Sequence, residues 1–374
     1  MNFDSLNVAL DQFDELDFKS NLEELDAVVE RAMMLELTME EYEVLDDINT
    51  LGKALCALVA LEEYPQDGTL LHMVLMNNEM PEGTSFVSAT EGFTDTIRKF
   101  FNKIIEFIRK LIKNIHDFIF GKSQEDIAAD TAKEVKSFLE DEDRARQAIT
   151  ELQSQIGKGE GAIQSFLRLA GISKEITFVG FSADEVSAVH ERINTILGHL
   201  KDVNNTAQPI PDTIMAAADI FSGNKAIKPS SDLKMAATWD ADKINAASAE
   251  QQKLAVLFDS VKKSYYMPMT KRLQDLERMA SSLNSNNDNI VLDYIDSTGK
   301  QRRINGKDDP KTVTAVLRQL IKDSQVKIRL YMMCSTYFDL VDKTISSYLK
   351  NAKLIKKAID ANEDNQQTAA ENND

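Results

Sequence analysis

The net charge of this 374-residue chain is confined to its first quarter. Residues 1–91 contain 21 acidic and three basic residues, so their net charge is −18, which is also the net charge of the whole protein. Residues 92–374 hold the remaining 40 acidic and 40 basic residues and are electrically balanced. Blocks that differ this much in charge usually face different partners or have different fates. The sequence therefore predicts an acidic leader followed by a separate, balanced body.

Both parts are expected to be mainly α-helical. Only 14 glycines and seven prolines interrupt the chain, and the 43% apolar content is that of a folded globular protein. In the leader, apolar residues follow helical spacing over 22–37, and Thr38 with Glu41 forms a capping box for a second helix. These patterns predict an acidic helical unit over residues 1–79.

The strongest amphipathic pattern covers residues 92–122, whose seven bases and three acids give a net charge of +4. Its apolar face and its basic residues are Phe93, Ile97, Phe100, Phe101, Ile104, Phe107, Ile108 and Leu111, with Lys99, Lys103, Arg109 and Lys110. Such a helix can lie at a membrane interface, or it can pack on the body or on copies of itself. No apolar stretch of the chain is long enough to predict a membrane-spanning helix.

Residues 123–360 are expected to form a helical body with one small β-hairpin at about residues 290–304, where Gly299 suits the turn. Ser182 and Glu185 predict a second capping box. Two helices are predicted over 310–323 and 324–359. Residues 361–374 are polar and are expected to form a disordered tail.

No pattern in the sequence predicts an enzyme, a metal site or a cofactor. The four histidines are too dispersed to share one helix face, and the phosphate-binding and nucleophile motifs are missing. Both cysteines are expected to be reduced core residues. Trp239, Tyr265 and Tyr266 fit a buried aromatic cluster better than a surface that stacks on nucleic acid. Lysines 350, 353, 356 and 357 suit the C-terminal end of a helix.

Residues 80–91 contain Pro, Gly, Ser and Thr and are expected to form an exposed linker. The linker ends in Ala89, Thr90 and Glu91, and Gly92 follows. This A-x-E pattern resembles the sites that the prohead proteases of giant tailed bacteriophages cut. Four similar patterns end at Glu134, Glu250, Glu363 and Glu371. Glu91 differs from them because the motif, the linker, the charge step and the start of the amphipathic helix coincide there.

The order of acidic leader, A-T-E-G-F site and Phe/Ile/Lys helix resembles the processed internal head proteins of those phages over residues 1–122. The resemblance implies a propeptide that the prohead protease removes after Glu91, in a virion protein that is packaged inside the capsid after assembly in the host cytoplasm. In some members of this group the protein is ejected into the host. Other capsid or inner-head proteins, a membrane surface and packaged DNA are the further partners that this interpretation suggests.

Two alternatives from other classes remain open. A prohead scaffold or core protein would shape the immature head and have no later role. A cellular helical adaptor would use the acidic segment as an autoinhibitory domain. The packaged virion protein is the favoured interpretation, because the motif, the linker, the charge step and the start of the amphipathic helix coincide at Glu91.

Overall fold

The computed structural model describes residues 39–63, 86–120, 123–202, 210–221, 226–283, 291–295, 301–305 and 310–371. These residues are mainly helical, so the predicted fold class is confirmed. The predicted leader helix over 22–37, and Thr38, lie outside the described residues.

The α-helices are α1 (Met39–Glu63), α2 (Phe86–Asn114), α3 (Gln124–Leu139), α4 (Glu142–Lys158), α5 (Glu160–Leu169), α6 (Ala183–Asp202), α7 (Asp212–Ala218), α8 (Ala241–Val261), α9 (Met267–Leu283) and α10 (Pro310–Glu371). π-helical turns follow α2 at Ile115–Phe120 and α8 at Lys262–Tyr266. Short 3₁₀ helices occupy Asp219–Phe221 and Leu233–Thr238.

Helix α10 is the axis of the fold. Its 62 residues span about 90 Å at 1.5 Å per residue. Residues 327–341 are buried without interruption, so this stretch is enclosed on every side, as a helix at the centre of a large core must be. Helices α1, α3, α4, α6 and α8 all pack against α10. These shorter helices therefore pack around one long helix.

Aromatic side chains join α8 to the centre of α10. The ring of Phe258 makes edge-to-face contacts with Tyr331 and Phe338, at centroid separations of 5.2 and 5.3 Å. Tyr266 packs on Tyr331 in the same way and donates a 2.7 Å hydrogen bond to the carbonyl of Lys327. Edge-to-face pairs add to the hydrophobic gain of burial, and the hydroxyl satisfies a buried carbonyl.

Strands β1 (Val291–Ile295) and β2 (Gln301–Asn305) pair antiparallel, with Val291 opposite Asn305. Residues 296–300, which would form the turn, lie outside the described residues. The turn centred on Gly299 therefore stays a prediction.

The capping box before α6 is confirmed. The backbone N–H of Ser182 donates to the Glu185 carboxylate at 2.8 Å, and the N–H of Glu185 donates to the Ser182 hydroxyl at 3.3 Å. These reciprocal bonds satisfy two amides that the helix itself leaves unpaired.

Three predicted boundaries are wrong. Helix α2 begins at Phe86, so residues 86–91 are helical and do not belong to an exposed linker. The two helices predicted over 310–323 and 324–359 are one continuous helix, because nothing in the sequence between them breaks it. That helix also continues through residues 361–371, where a disordered tail was expected. One physical reason for the extension is that Arg144 of α4 forms ion pairs with Asp360 and Glu363.

Candidate partner-binding helix

The apolar face predicted for the basic helix is buried in α2. Phe101, Ile104, Phe107, Ile108 and Leu111 are buried, and Phe100 is half-buried. The predicted basic residues on the other side, Lys99, Lys103, Arg109 and Lys110, are exposed. For residues 86–94 and for Ile97 the structure describes the backbone but not the side chains. The residues of the predicted cleavage site, Ala89, Thr90, Glu91 and Gly92, and the neighbouring Phe93 are therefore known only as part of the helical backbone.

Two ion pairs fix α2 between a leader helix and a body helix. On one margin the Nζ of Lys103 lies 2.9 Å from the carboxylate of Asp47, which belongs to α1. On the opposite margin the Nε of Arg109 lies 2.7 Å from Glu277 of α9. Helix α1 and the basic helix α2 are therefore in direct contact, and the body helix α9 contacts the other side of α2.

Helical geometry assigns the apolar residues of α2 to these two neighbours. Successive residues of an α-helix are rotated by about 100°. Ile104, Phe107 and Leu111 consequently lie on the margin beside Lys103, which faces α1. Phe101 and Ile105 lie on the margin beside Arg109, which faces α9. The apolar stripe thus has a leader-facing half and a body-facing half.

Helix α1 also contacts the start of α10. A Cβ atom added at the buried Gly52 would lie only 2.8 Å from the Oγ1 of Thr314, which is too close for an ordinary contact. One turn away, Arg318 donates a 3.3 Å hydrogen bond to the side-chain oxygen of Asn49. The lack of a side chain at Gly52 therefore lets the Thr314 side chain of α10 pack directly on the backbone of α1.

Apolar contact supplies most of the stability of this arrangement. The Lys103 side chain is 50% exposed and Asp47 is 17% exposed. Solvated pairs of this kind contribute about 0.2–1 kcal/mol. Full burial of one Leu, Ile or Phe side chain contributes about 1.5–3 kcal/mol, and α1 buries Val44, Leu45, Ile48 and Leu51. The ion pair therefore sets the position of α1 more than its affinity.

The proposed cleavage site lies within the first turns of α2, since Glu91 is the sixth residue of that helix. The similar patterns at Glu134, Glu250, Glu363 and Glu371 are also helical. Exposure in a linker therefore does not distinguish Glu91 from them, contrary to expectation. Glu91 differs from Glu250, which is central in α8, in lying near a helix end, where local opening costs least.

The aromatic residues considered for nucleic-acid stacking are buried and are therefore not available for it. The indole N–H of Trp239 donates a 3.0 Å hydrogen bond to the carbonyl of Phe181, and Tyr265 and Tyr266 are enclosed in the core. The lysine stripe over 350–357 does not end a helix, because α10 continues to Glu371. One of these lysines, Lys353, lies 3.6 Å from Glu134 of α3.

The described histidines and cysteine do not assemble a reactive site. His190 is buried and its ring nitrogen lies 3.2 Å from the side-chain oxygen of Gln251, whose amide donates to the carbonyl of Phe338. Burial lowers the pKa of His190 to about 4, so the imidazole is neutral at physiological pH. Burial also raises the pKa of the Cys334 thiol. Within the described part of the chain, no cluster of three or more His, Cys, Asp or Glu residues could hold a metal ion.

Sequence reasoning identified the helix but missed its partners. Periodicity reveals which face of α2 is apolar, whereas Asp47 and Glu277 carry no local signal that links them to Lys103 and Arg109. A weaker signal did exist at Gly52, because a glycine inside a helical pattern costs about 1 kcal/mol and so suggests a packing reason for its presence.

No protein-family model, curated protein or solved structure matches this chain. Among the helices that the structure describes, none is both long and apolar enough to cross a membrane.

Proposed function

We propose that this protein is a bacteriophage virion protein that is carried inside the head and is made as a precursor. The prohead protease cuts it after Glu91, and residues 1–91 act until then as a removable cover for helix α2. The observation that supports this proposal best is the contact of α1 with the basic helix, fixed by the Asp47–Lys103 ion pair. The acidic leader thereby lies on the segment whose release would change what the protein can bind.

Cleavage would act through effective concentration. While the chain is intact, residues 64–85 tether α1 to α2, so rebinding is intramolecular. After the cut, α1 must compete as a separate molecule and is lost on dilution. The leader-facing half of the stripe, with Ile104, Phe107 and Leu111, would then become available to capsid or inner-head proteins.

The same contact would serve a cellular adaptor whose acidic segment is autoinhibitory, and it fits a prohead scaffold as well. The A-T-E-G-F sequence at the boundary favours the processed virion protein over the adaptor. A scaffold would leave the head after assembly, so the presence of residues 92–374 in mature particles separates the first proposal from it.

N-terminal sequencing of the protein from its native particles tests this proposal. We expect a mature chain that begins at Gly92, and a Glu91→Gln variant that remains uncut. Mature particles that carry an intact chain of 374 residues, or that lack residues 92–374, would contradict the proposal.

A further inference from the structure

Helix α1 packs against both α2 and α10, and the surfaces that these two helices present to it are here called the two walls of a trough. The wall on α2 is the leader-facing margin of its stripe, with Ile104, Phe107 and Leu111. On the wall from α10, Thr314 contacts α1, and Leu317 and Ile321 follow it at intervals of three and four residues on the same face. All six side chains are buried in the intact chain.

The edges of this trough are cationic, and the helix inside it is acidic. Lys103 contacts Asp47 on the α2 edge, and Arg318 contacts Asn49 on the α10 edge. Helix α1 has seven acidic residues and one basic residue, a net charge of −6. Its buried residues Val44, Ile48 and Leu51 have the three- and four-residue spacing that a helix uses to enter an apolar groove.

One position in the trough accepts only a small residue. Thr314 leaves no space for a Cβ atom at Gly52, and Asn49 pairs with Arg318 one turn earlier in α1. A glycine against the α10 wall and a carboxylate at the α2 edge, five residues apart in α1, therefore fix both the position and the direction of the bound helix.

We propose that this trough is a receptor groove for one acidic amphipathic helix of a partner protein. The partner helix would place a glycine against Thr314 and a carboxylate near Lys103, as α1 does in the precursor. This inference rests on the cleavage proposed above, because the groove is vacant only after residues 1–91 have left. A trough between two helices fits a helix better than a bilayer surface, since α9 holds the other half of the α2 stripe through Arg109 and Glu277.

The test uses the full chain with a protease recognition sequence inserted within residues 64–85. The protein is folded first and is then cut there, so that α1 stays bound without its tether. A fluorescent peptide of residues 39–63 is added in excess, and its binding is followed by anisotropy. We expect saturable exchange of this peptide into the groove.

A steric swap tests the recognition of glycine. A Gly52→Ala peptide should bind about tenfold more weakly, since overpacking costs about 1–3 kcal/mol. Protein carrying Thr314→Ala should bind the Gly52→Ala peptide nearly as well as the unchanged peptide, because the two nearest clashing atoms are gone. Because the same Gly52→Ala peptide is measured against both proteins, the greater helix propensity of alanine in the free peptide affects both affinities equally. A Lys53→Ala peptide is the matched control, since Lys53 is exposed, and it should bind normally.

Several results would overturn the inference. One is the lack of any exchange after the cut, which would make α1 a permanent part of the fold. Another is equal binding of the Gly52→Ala peptide to both proteins. Displacement of the peptide by anionic phosphatidylserine vesicles would identify a lipid surface as the occupant instead. The peptide could exchange with glycine selectivity while native particles carry an uncut chain. That pair of results would support the groove and contradict the proposed function.

Discussion

The ammonium group of Lys103 and the carboxylate of Asp47 lie 2.9 Å apart, and Glu91 separates the two residues in sequence. This pair joins the acidic leader to the basic helix across the proposed cleavage site. Because the pair is partly exposed, it directs the docking of α1, whereas the apolar residues beneath it supply most of the stability.

Reversing the charge at Asp47 should loosen α1. An Asp47→Lys variant places two cations at the α1–α2 contact, and we expect it to lower the free energy of unfolding by about 1 kcal/mol. Denaturant titration measures this change. Asp46→Lys, at the exposed neighbouring position, should have a smaller effect. Adding Lys103→Glu to Asp47→Lys should restore the stability, and failure of that rescue would show that the pair does not act at this contact.

Cleavage after Glu91 should depend on the local opening of α2, because a protease binds an extended substrate. Thr94 is helical and lies outside the A-T-E-G motif. Replacing it with Gly should accelerate cleavage and replacing it with Ala should slow it. The two rates should differ by about fivefold, since Gly and Ala differ in helix propensity by about 1 kcal/mol. Timed cleavage by the prohead protease measures both variants. Equal rates would mean that the site is already open.

The end of α10 should contribute to stability through Arg144. Deletion of residues 364–374 retains Asp360 and Glu363 and should leave the melting temperature nearly unchanged. Deletion of residues 361–374 removes Glu363 and should lower the melting temperature. The Arg144 hydrogen bond also lowers the pKa of Glu363, so the contribution of this pair is lost as the pH falls through that pKa. Equal melting temperatures for the two deletions would show that the pair is energetically silent.

His190 and Asp342, whose pKa values are shifted mainly by burial, should give opposite pH dependences. The pKa of His190 is about 4 in the folded protein and 6.5 in the unfolded chain. As the pH falls, the unfolded state therefore binds the proton first, and the stability of the folded protein decreases between pH 6.5 and 4. Burial raises the pKa of Asp342 from 3.8 to about 6, so the folded state binds its proton first and stability rises as the pH falls from 6 to 4. Each effect amounts to about 3 kcal/mol at most.

Urea titrations at pH 7 and pH 4 measure these two contributions. Relative to the unchanged protein, His190→Gln should become more stable as the pH falls, because it removes the group that destabilises in acid. Asp342→Asn should be the more stable protein at pH 7 and should lose that advantage by pH 4. Parallel pH profiles for the two variants would contradict both assignments.

The sequence predicted the helical class and the apolar face of α2, because periodicity of the side chains reports directly which face is buried. It failed at residues 86–91, where Ser88 and Thr90, after Pro81 and Gly83, suggested a linker. Their weak individual preferences did not prevent the helix from beginning at Phe86. It also failed at residues 361–371, where a polar segment remains helical as the continuation of α10 and its start is held by Arg144.

The contacts of α1 were beyond prediction for a different reason. Periodicity identifies a face but does not identify its partner, and Asp47 reaches Lys103 across 56 residues. The burial of residues 327–341 on every side likewise depends on helices that are distant in sequence. Such long-range choices emerge only from the packed structure.

Hydroxyl-radical footprinting of the protein before and after cleavage at Glu91 tests the central claim most directly. If α1 covers the leader-facing half of α2, removal of residues 1–91 should raise the oxidation rate of Phe107 severalfold. Phe101, on the half that faces α9, and Phe258, in the body core, should keep their low rates. An unchanged rate at Phe107 would contradict the claim that the leader covers this helix. A simultaneous rise at Phe258 would instead show that residues 1–91 are needed for the fold of the body.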